Sequence, residues 1–282
     1  MAGGLLLVIE NCISKDVRAL QWAGNSGGGG CDMFDLTLVG IGTGNPDHLT
    51  RQAVLALNAA DIILIPRKGA SKADLADLRR AICADVVTNP ATKLVEFDLP
   101  VRDAANPDYL SRVDDWHDAI AVCWASAIAA APGPASRVAL LVWGDPSLYD
   151  STLRIASRLN PAPRVTVIPG ITSMQALCAA HAIPMNDIGA PFLVTTGRQL
   201  RDHGWPAGVK TLVVMLDGDC AFQGLDPAGV AIWWAGYVGM AEEMLFSGPL
   251  ATTGPQIIAA RAAARAQHGW IMDIYLLRRN LP

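Results

Sequence analysis

A strand, a glycine-rich turn and a helix follow one another in residues 36–50, and this unit limits the folds open to the chain. The apolar run 36–41 is typical of a buried parallel strand. It leads into a turn that contains Gly40, Gly42 and Gly44. Glycine tolerates positive φ and lets the backbone approach a ligand, and the helix that follows directs free N–H groups toward the turn. The unit therefore predicts an α/β fold in which this turn, unless it is an ordinary connection, binds a ligand.

The spacing of these glycines argues against a dinucleotide-binding turn of the G-x-G-x-x-G type. After Gly40 and Gly42, that pattern places its third glycine at residue 45, which is Asn45 here. Pro46 also fixes the backbone where a dinucleotide-binding turn is already helical. A nicotinamide-dependent oxidoreductase is further disfavoured because no acidic residue closes the second predicted strand, which ends in residues 65–66.

Strand and helix patterns alternate from residue 33 to residue 185, and such alternation predicts a doubly wound parallel sheet. The predicted strands are 35–41, 61–66, 93–97, 137–143 and 165–168, and the predicted helices are 48–60, 72–84, 107–131, 151–159 and 172–181. Residues 1–32 differ from this pattern and end in a glycine-rich stretch typical of a flexible linker. We expect them to be a disordered or mis-called extension that precedes a natural start at Met33.

The pattern changes after a linker at 183–190, and residues 186–282 predict a second, mixed α/β domain. Its predicted strands, 192–196, 211–216, 229–235 and 270–277, follow one another more closely. Residues 244–250 predict a hairpin or edge segment, and 255–267 predict a helix.

Composition narrows the functional classes. The 282-residue chain has a formal net charge of −4 and no long basic run, which disfavours nucleic acid as the main partner. Its six cysteines form no C-x-x-C pair, and no cysteine–histidine cluster has metal-ligand spacing, so we expect no metal and a reducing cytoplasm. The most apolar stretch, 119–131, is too short to span a membrane.

Two further glycine-bearing turns follow predicted strands of the first domain. Gly144, Asp145 and Pro146 come after the strand 137–143, and Pro169 and Gly170 come after the strand 165–168. Ligands of open α/β sheets bind at the carboxyl ends of the strands, so three such turns predict a small ligand held mostly by main chain. The sequence has no G-x-S-x-G, Walker or H-E-x-x-H motif, which favours a reaction that depends on positioning rather than on a strong base.

The segments VGIGTGNPDHLT, WGDPSLYDST and VIPGITSMQALCAAHAIP, in this order and spacing, resemble the signature loops of the tetrapyrrole (uroporphyrinogen/corrin) methylase family. The resemblance covers residues 33–282. It implies two α/β domains with S-adenosylmethionine in the cleft between them. Two departures stand out: Thr43, Gly44 and Asn45 replace the family's frequent Pro-Gly-Asp, and Asp150 replaces a glycine of the second loop.

Carried over residue by residue, the resemblance implies a set of cofactor contacts from both domains. Thr43 faces the methionine end, and Leu216 and Gly236 border the adenine. The other implied contacts, on the carboxylate and ribose side and in the third loop, are Trp143, Gly144, Asp145, Leu148, Thr172 and Ser173.

The variants NPDHLT, SLYDST, TTGR and GWIMDIYLLR are most like those of family members that act in cobalamin biosynthesis. These members methylate C1 of precorrin-5 and release acetate to give precorrin-6A. The residues leave the base for acetate release open, with Tyr149, His48, Asp150 and Asp187 as candidates.

The implied substrate is a polycarboxylate macrocycle, which needs cations at its docking surface. The candidates are Arg67, Lys68, Lys72, Arg198 and Arg201. The resemblance also implies a homodimer. Three alternatives stay open: a methylase of the same fold that acts on another precorrin carbon, a nicotinamide-dependent oxidoreductase, and a non-catalytic corrinoid-binding module.

Overall fold

The computed structural model describes residues 34–67, 73–101, 109–133 and 135–279. The predictions made for residues 1–32, Met33, Lys68, Lys72 and the start of the helix at 107 lie outside the described residues. The described strands are β1 Asp35–Gly40, β2 Ile62–Arg67, β3 Lys93–Asp98, β4 Arg137–Val142, β5 Arg164–Ile168, β6 Leu193–Thr196, β7 Thr211–Met215, β8 Val230–Gly236, β9 Met244–Pro249 and β10 Asp273–Arg279. The helices are α1 Arg51–Ala59, α2 Ala73–Val86, α3 Tyr109–Ala129, α4 Thr152–Ala156, α5 Ser173–Ala180, α6 Gly197–His203 and α7 Leu250–His268.

The alternation of apolar side chains along β1 explains why helices cover both faces of the first sheet. Leu36 and Leu38 point into a cluster with α3 and α4, in which Trp124 is fully buried. Val39 and Ile41 point into a second cluster with α1 and α2. The first sheet therefore buries both faces, as a doubly wound sheet must.

The first sheet has the strand order β3-β2-β4-β1-β5, and all its pairings are parallel. The turns that carry the predicted ligand contacts follow β1, β4 and β5. These three strands are neighbours, with β1 in the centre. The topology thus gathers three turns that are far apart in sequence at one edge of one sheet.

The second sheet is mixed, as predicted, with the order β6-β7-β10-β8-β9. β6 pairs parallel with β7, and the other pairings are antiparallel. One face packs against α7, and the other packs against α5 through Ala176 and Leu177. Because α5 precedes the predicted linker yet packs on this sheet, the domain boundary at residue 185/186 stays a prediction.

The two helices that pack on the second sheet after β6 differ most from the sequence prediction. α7 begins at Leu250 rather than at 255, and it continues through Pro255 because Leu250 is buried against the second sheet. α6 was missed, although Thr196 and Gln199 have the spacing of a capping box. The Thr196 side chain accepts a hydrogen bond from the Gln199 N–H, and Leu200 is buried.

Asp61 joins the beginnings of β2 and β4. Its carboxylate accepts hydrogen bonds from the Arg137 N–H at 2.9 Å and from the Ser136 hydroxyl at 2.9 Å, and it pairs with the Arg137 guanidinium at 2.6 Å. The bond to Arg137, opposed by burial, holds the pKa of Asp61 below its ordinary value of 3.8.

Replacing Asp61 with asparagine is expected to cost about 1–2 kcal/mol of unfolding free energy at pH 7. Since the folded pKa lies below 3.8, the carboxylate stabilises fully above that value and loses its effect as the pH falls through the folded pKa. Urea unfolding of wild type and Asp61→Asn between pH 7 and pH 3 measures this. The difference between the two proteins should shrink on acidification, and growth of the difference would contradict the assignment.

Candidate active site

Three turns meet at the carboxyl ends of β4, β1 and β5. We call them the first loop (residues 41–50), the second loop (143–151) and the third loop (169–172). The Gly144 N–H donates to the Gly42 carbonyl at 2.7 Å, and the Gly42 N–H donates to the Gly144 carbonyl at 3.3 Å. The Gly170 N–H donates to the Asp145 carboxylate at 3.0 Å. The second loop therefore binds both of its neighbours directly.

Only glycine fits at two positions of this junction. A Cβ on Gly40 would lie 2.5 Å from the Gly170 nitrogen and 2.8 Å from the Gly144 oxygen. A Cβ on Gly170 would overlap the Gly144 oxygen and lie 2.8 Å from the Gly40 carbonyl carbon. By contrast, a Cβ on Gly144 would meet nothing closer than the Thr172 Cα at 3.9 Å, so Gly144 faces open space.

Asp145 is held in its ionised form by the loops that it connects. Its carboxylate accepts hydrogen bonds from the Ser147 N–H at 2.8 Å, from the Ser147 hydroxyl and from the Gly170 N–H. Burial opposes ionisation, but the bonds from Ser147 and Gly170 hold the pKa of Asp145 below its ordinary value. The residue thus places a negative charge inside the junction at neutral pH.

The first loop touches the turn that follows β8 of the second sheet. The Thr43 side chain is buried, and its hydroxyl lies 3.2 Å from His48 Nδ1. A Cβ on Gly239 would lie 2.6 Å from the Thr43 hydroxyl and 3.0 Å from His48 Cε1. Gly44 packs against Met240 in the same turn. No motif in the sequence marked Gly239 or Met240 as neighbours of the first loop.

Two exposed residues that follow β4 and β7 have unusual backbone conformations. Tyr149 has φ 49° and is 46% exposed, and its hydroxyl donates to the Val194 carbonyl of β6 at 3.4 Å. Leu216 has φ 53° and is 65% exposed at the end of β7. Positive φ is costly for such residues and is concentrated at functional sites. Leu216 was expected from the resemblance to border the adenine, and Tyr149 is one of the candidate bases.

The remaining predicted cofactor contacts lie on or beside the loops. Thr172 is buried, and its side chain forms a capping box with Gln175 at the start of α5, where Ser173 is the first residue. The Leu148 N–H closes a turn on the Asp145 carbonyl at 3.1 Å. Gly236 ends β8, where a Cβ would lie 2.7 Å from the Trp234 ring.

The candidate bases for acetate release lie in different environments. Asp150 accepts hydrogen bonds from the Thr152 N–H at 2.6 Å and from the Thr152 hydroxyl. Asp187 is exposed in the linker after α5, 4.0 Å from Arg278. Burial raises the pKa of Tyr149 above its ordinary value, so its phenol stays protonated at neutral pH.

The arginines predicted to bind the substrate carboxylates lie on two different elements, β2 and α6. Arg67 ends β2 and pairs with Asp98 at 2.9 Å on the neighbouring strand. Arg198 is exposed in the first turn of α6, and Arg201 pairs with Asp219 at 3.3 Å.

The sequence prediction missed Arg79 on α2. Its guanidinium lies 5.4 Å from the centre of the Trp143 ring, next to the second loop. The helical period provided a signal, because Arg79 falls on the same face of the predicted helix 72–84 as the apolar residues Leu75 and Ile82.

Within the described ranges, no group of three or more histidine, cysteine, aspartate or glutamate side chains could hold a metal ion. In the same part of the chain, no helix is both long and apolar enough to cross a membrane.

Comparisons with known proteins agree with this architecture. The sequence model described as "Tetrapyrrole (Corrin/Porphyrin) Methylases" matches residues 35–253. A relative from Sinorhizobium sp, named "Precorrin-6A synthase [deacetylating]", is 48% identical over 252 residues, which cover 88% of this chain and 96% of the relative.

Solved structures extend the likeness. A "putative cobalamin synthesis related protein (CobF)" from Corynebacterium diphtheriae superposes with a TM-score of 0.74 at 37% identity, over 88% of this chain and 99% of the other. The uroporphyrin-III C-methyltransferase of Thermus thermophilus, solved with S-adenosylhomocysteine, shares the fold, with a TM-score of 0.51 at 20% identity over 86% and 97% of the two chains. The chain therefore belongs to the tetrapyrrole (corrin/porphyrin) methylase family.

Proposed function

We propose that this chain is an S-adenosylmethionine-dependent C-methyltransferase of cobalamin biosynthesis, which methylates C1 of precorrin-5 and releases acetate to give precorrin-6A. The relative named for that activity aligns with 88% of this chain. The similarity at 37% identity to the CobF structure supports the same pathway.

The junction of the three loops is the observation that carries this proposal. Main-chain hydrogen bonds between Gly42 and Gly144 and the bond from Gly170 to Asp145 hold the loops as one surface. A rigid surface suits a reaction in which the acceptor carbon is enamine-like and already nucleophilic. In that case the protein contributes mainly the alignment of two reactants.

The residues present fit the methyl donor. The space in front of Gly144 is open, and the buried Trp143 Nε1–H has no hydrogen-bond partner among the described residues. When bound, S-adenosylmethionine supplies an electrophilic methyl group on a positively charged sulfur. The residues that would hold it are Thr43, Trp143, Gly144, Asp145, Leu148, Thr172, Ser173, Leu216 and Gly236.

The chain's own side chains supply charge and exclude water. The ionised Asp145 carboxylate favours a cationic ligand at the junction. Thr43 and Thr172 are only 7% and 8% exposed, so these two side chains are shielded from water on either side of the second loop. Exclusion of water strengthens such charge interactions and protects the reactants.

Release of acetate requires a base that activates water for attack on the acetyl carbonyl. We propose His48 for this role, because its ring is fixed between the Thr43 hydroxyl and Gly239 at the first loop. Asp150 is instead engaged at the start of α4, and the protonated Tyr149 suits hydrogen-bond donation. Arg67, Arg198 and Arg201 remain proposals for binding the substrate carboxylates, as do Lys68 and Lys72 beyond the described residues.

Purified protein incubated with precorrin-5 and methyl-labelled S-adenosylmethionine is expected to yield labelled precorrin-6A and one equivalent of acetate. Gly144→Trp should abolish the reaction and weaken S-adenosylhomocysteine binding at least about tenfold, because the indole would fill the open space. Calorimetric titration measures the binding, and Gly144→Ala separates the effect of size from that of positive φ. The proposal fails if wild type transfers no methyl group.

Two finer proposals concern assembly and compartment. Apolar side chains are exposed on or beside the edge strands β5 and β6, namely Val165, Val167, Phe192 and Leu193, which supports a homodimer. Burial raises the pKa of the Cys83 and Cys220 thiols to about 11. Such unreactive thiols are compatible with a cytoplasmic enzyme.

A further inference from the structure

A cavity of about 300 Å³ lies beside the second loop, between the end of β4 and the helices α3 and α4. Its described lining is largely apolar and includes Phe97, Trp116 and Trp143. Tyr149 and Asp150 of the second loop contribute polar atoms. Among the described lining residues, Arg79 is the only cation.

Among the described residues, the Arg79 guanidinium contacts neutral groups only. Its Nε donates to the Leu141 carbonyl at 3.3 Å, and its Nη1 donates to the Leu75 carbonyl at 3.1 Å. Its third neighbour is the Trp143 ring. No carboxylate among the described residues lies within ion-pair distance of it. The terminal Nη2 group therefore remains available to an acceptor in the cavity.

Asp150, the other charged residue of the described cavity lining, does not supply that acceptor. Asp150 acts on Arg79 only through longer-range charge interaction. One of its carboxylate oxygens already accepts hydrogen bonds from the Thr152 N–H and hydroxyl at the start of α4. Burial lowers the pKa of Arg79 to about 10, so it is still charged at neutral pH.

The adjacent residue on the same helix shows the ordinary alternative. Arg80 pairs with Glu96 at 2.6 Å and with Asp77 on the exposed side of α2. A half-buried guanidinium without an anion is costly, and an arginine fork is shaped to bind a carboxylate through two hydrogen bonds.

We infer that Arg79 binds a carboxylate side chain of the tetrapyrrole, and that the cavity beside the second loop receives that side chain. The inference rests on the proposed function, which makes the substrate a polycarboxylate. Arg79 contacts Trp143, and Trp143 directly precedes Gly144 of the loop junction. A carboxylate anchored at this point fixes the position of the macrocycle relative to the proposed methyl donor. Arg79 is thus a substrate-binding residue that determines orientation.

Fluorescence titration with uroporphyrin, a stable octacarboxylate tetrapyrrole, tests this inference in the full-length protein. Arg79→Met is expected to weaken uroporphyrin binding about 10- to 100-fold, the effect of losing one charge-assisted contact. Arg79→Lys should recover part of the affinity, because it keeps the charge without the fork. Arg80→Met, which removes the same charge from the next position, should bind like wild type.

S-adenosylhomocysteine, which carries a carboxylate of its own, distinguishes the two possible sources of the anion. Calorimetry should give the same S-adenosylhomocysteine affinity for wild type and Arg79→Met. Equal loss of both ligands would assign the carboxylate to the cofactor and overturn the inference, as would unchanged uroporphyrin binding in Arg79→Met. Thermal unfolding shows whether Arg79→Met is folded. If it is not, Arg79→Lys replaces it in the test: a uroporphyrin affinity below that of Arg80→Met supports the inference, and an equal affinity overturns it.

The proposed function fails in a different way. If wild type binds uroporphyrin but does not methylate precorrin-5, the assigned reaction is wrong, while the Arg79→Met titration still decides the role of Arg79. If wild type binds no tetrapyrrole at all, both proposals fall.

Discussion

Replacing Gly170 with alanine is expected to destabilise the protein by about 3 kcal/mol and to abolish S-adenosylhomocysteine binding. The added Cβ would overlap the Gly144 carbonyl oxygen and lie 2.8 Å from the Gly40 carbonyl carbon. Both neighbours are backbone atoms of parallel strand ends, so neither can move without breaking the sheet or the loop junction. Relief of the overlap must separate the third loop from the second and break the bond from Gly170 to Asp145.

Urea unfolding monitored by circular dichroism gives the change in stability, and calorimetry gives the cofactor affinity. Gly224→Ala is the matched control, because a Cβ at that position meets nothing within 4 Å. Its effect should stay within about 0.5 kcal/mol. Gly170→Ala with wild-type stability and affinity would show that the close contact of the three loops is not required.

Replacing Asp217 with alanine is expected to cost about 3–4 kcal/mol, because several donors lose a buried charged acceptor at once. Asp217 is 6% exposed, and its carboxylate accepts from the Tyr275 hydroxyl at 2.6 Å, the Ala221 N–H at 2.6 Å and the Asp219 N–H at 3.1 Å. Burial and the Asp217 carboxylate raise the pKa of Tyr275 well above its ordinary value, so the phenol remains a donor.

The same substitution should weaken cofactor binding, since Asp217 directly follows Leu216 and organises the loop after β7. Arg261 reinforces this loop by donating to the Asp217 carbonyl at 2.8 Å and pairing with Asp273 at 3.0 Å. Urea unfolding at pH 7 measures the stability.

Two variants calibrate the Asp217 result. Tyr275→Phe removes a single donor and should cost about 1–2 kcal/mol. Asp226→Ala removes an exposed carboxylate that accepts only from a nearby backbone N–H, and it should stay within about 0.5 kcal/mol. A cost for Asp217→Ala no larger than that of Asp226→Ala would contradict the role given to this network.

The central elements of the first sheet were predictable because β1, β2 and β4 are largely buried on both faces and the turns after β1 and β4 contain glycine and proline. Leu36 and Leu38 on one face and Val39 and Ile41 on the other produce the continuous apolar run that predicted β1. The predicted helix at 48–60 became a short helical turn, Pro46–His48, followed by α1, because Thr50 caps α1 through the Ala53 N–H. Local side-chain hydrogen bonds of this kind set element ends, and hydrophobic periodicity does not report them.

The sequence alone did not show which interaction prevails where a residue has two competing ones. The cofactor contact that the family resemblance implies for Thr172 stays a prediction, while the Thr172 side chain also caps α5 together with Gln175. α7 includes Pro255 against its local preference because burial of Leu250 outweighs the proline at that position. At Thr172 a helix cap competes with the predicted cofactor contact, and at Pro255 a tertiary contact competes with the low helix propensity of proline.

The sequence alone determined the turns, since glycine is required at Gly40 and Gly170, where backbones come that close, and is favoured at Gly144 by a φ of 61°. It did not determine that β1 lies between β4 and β5, which is what brings these glycines together. Nor did it place Gly239 against Thr43, or Arg79 beside Trp143. The physical reason is that periodicity and turn chemistry depend on residues a few positions apart, whereas strand order and cavity lining depend on contacts between distant segments.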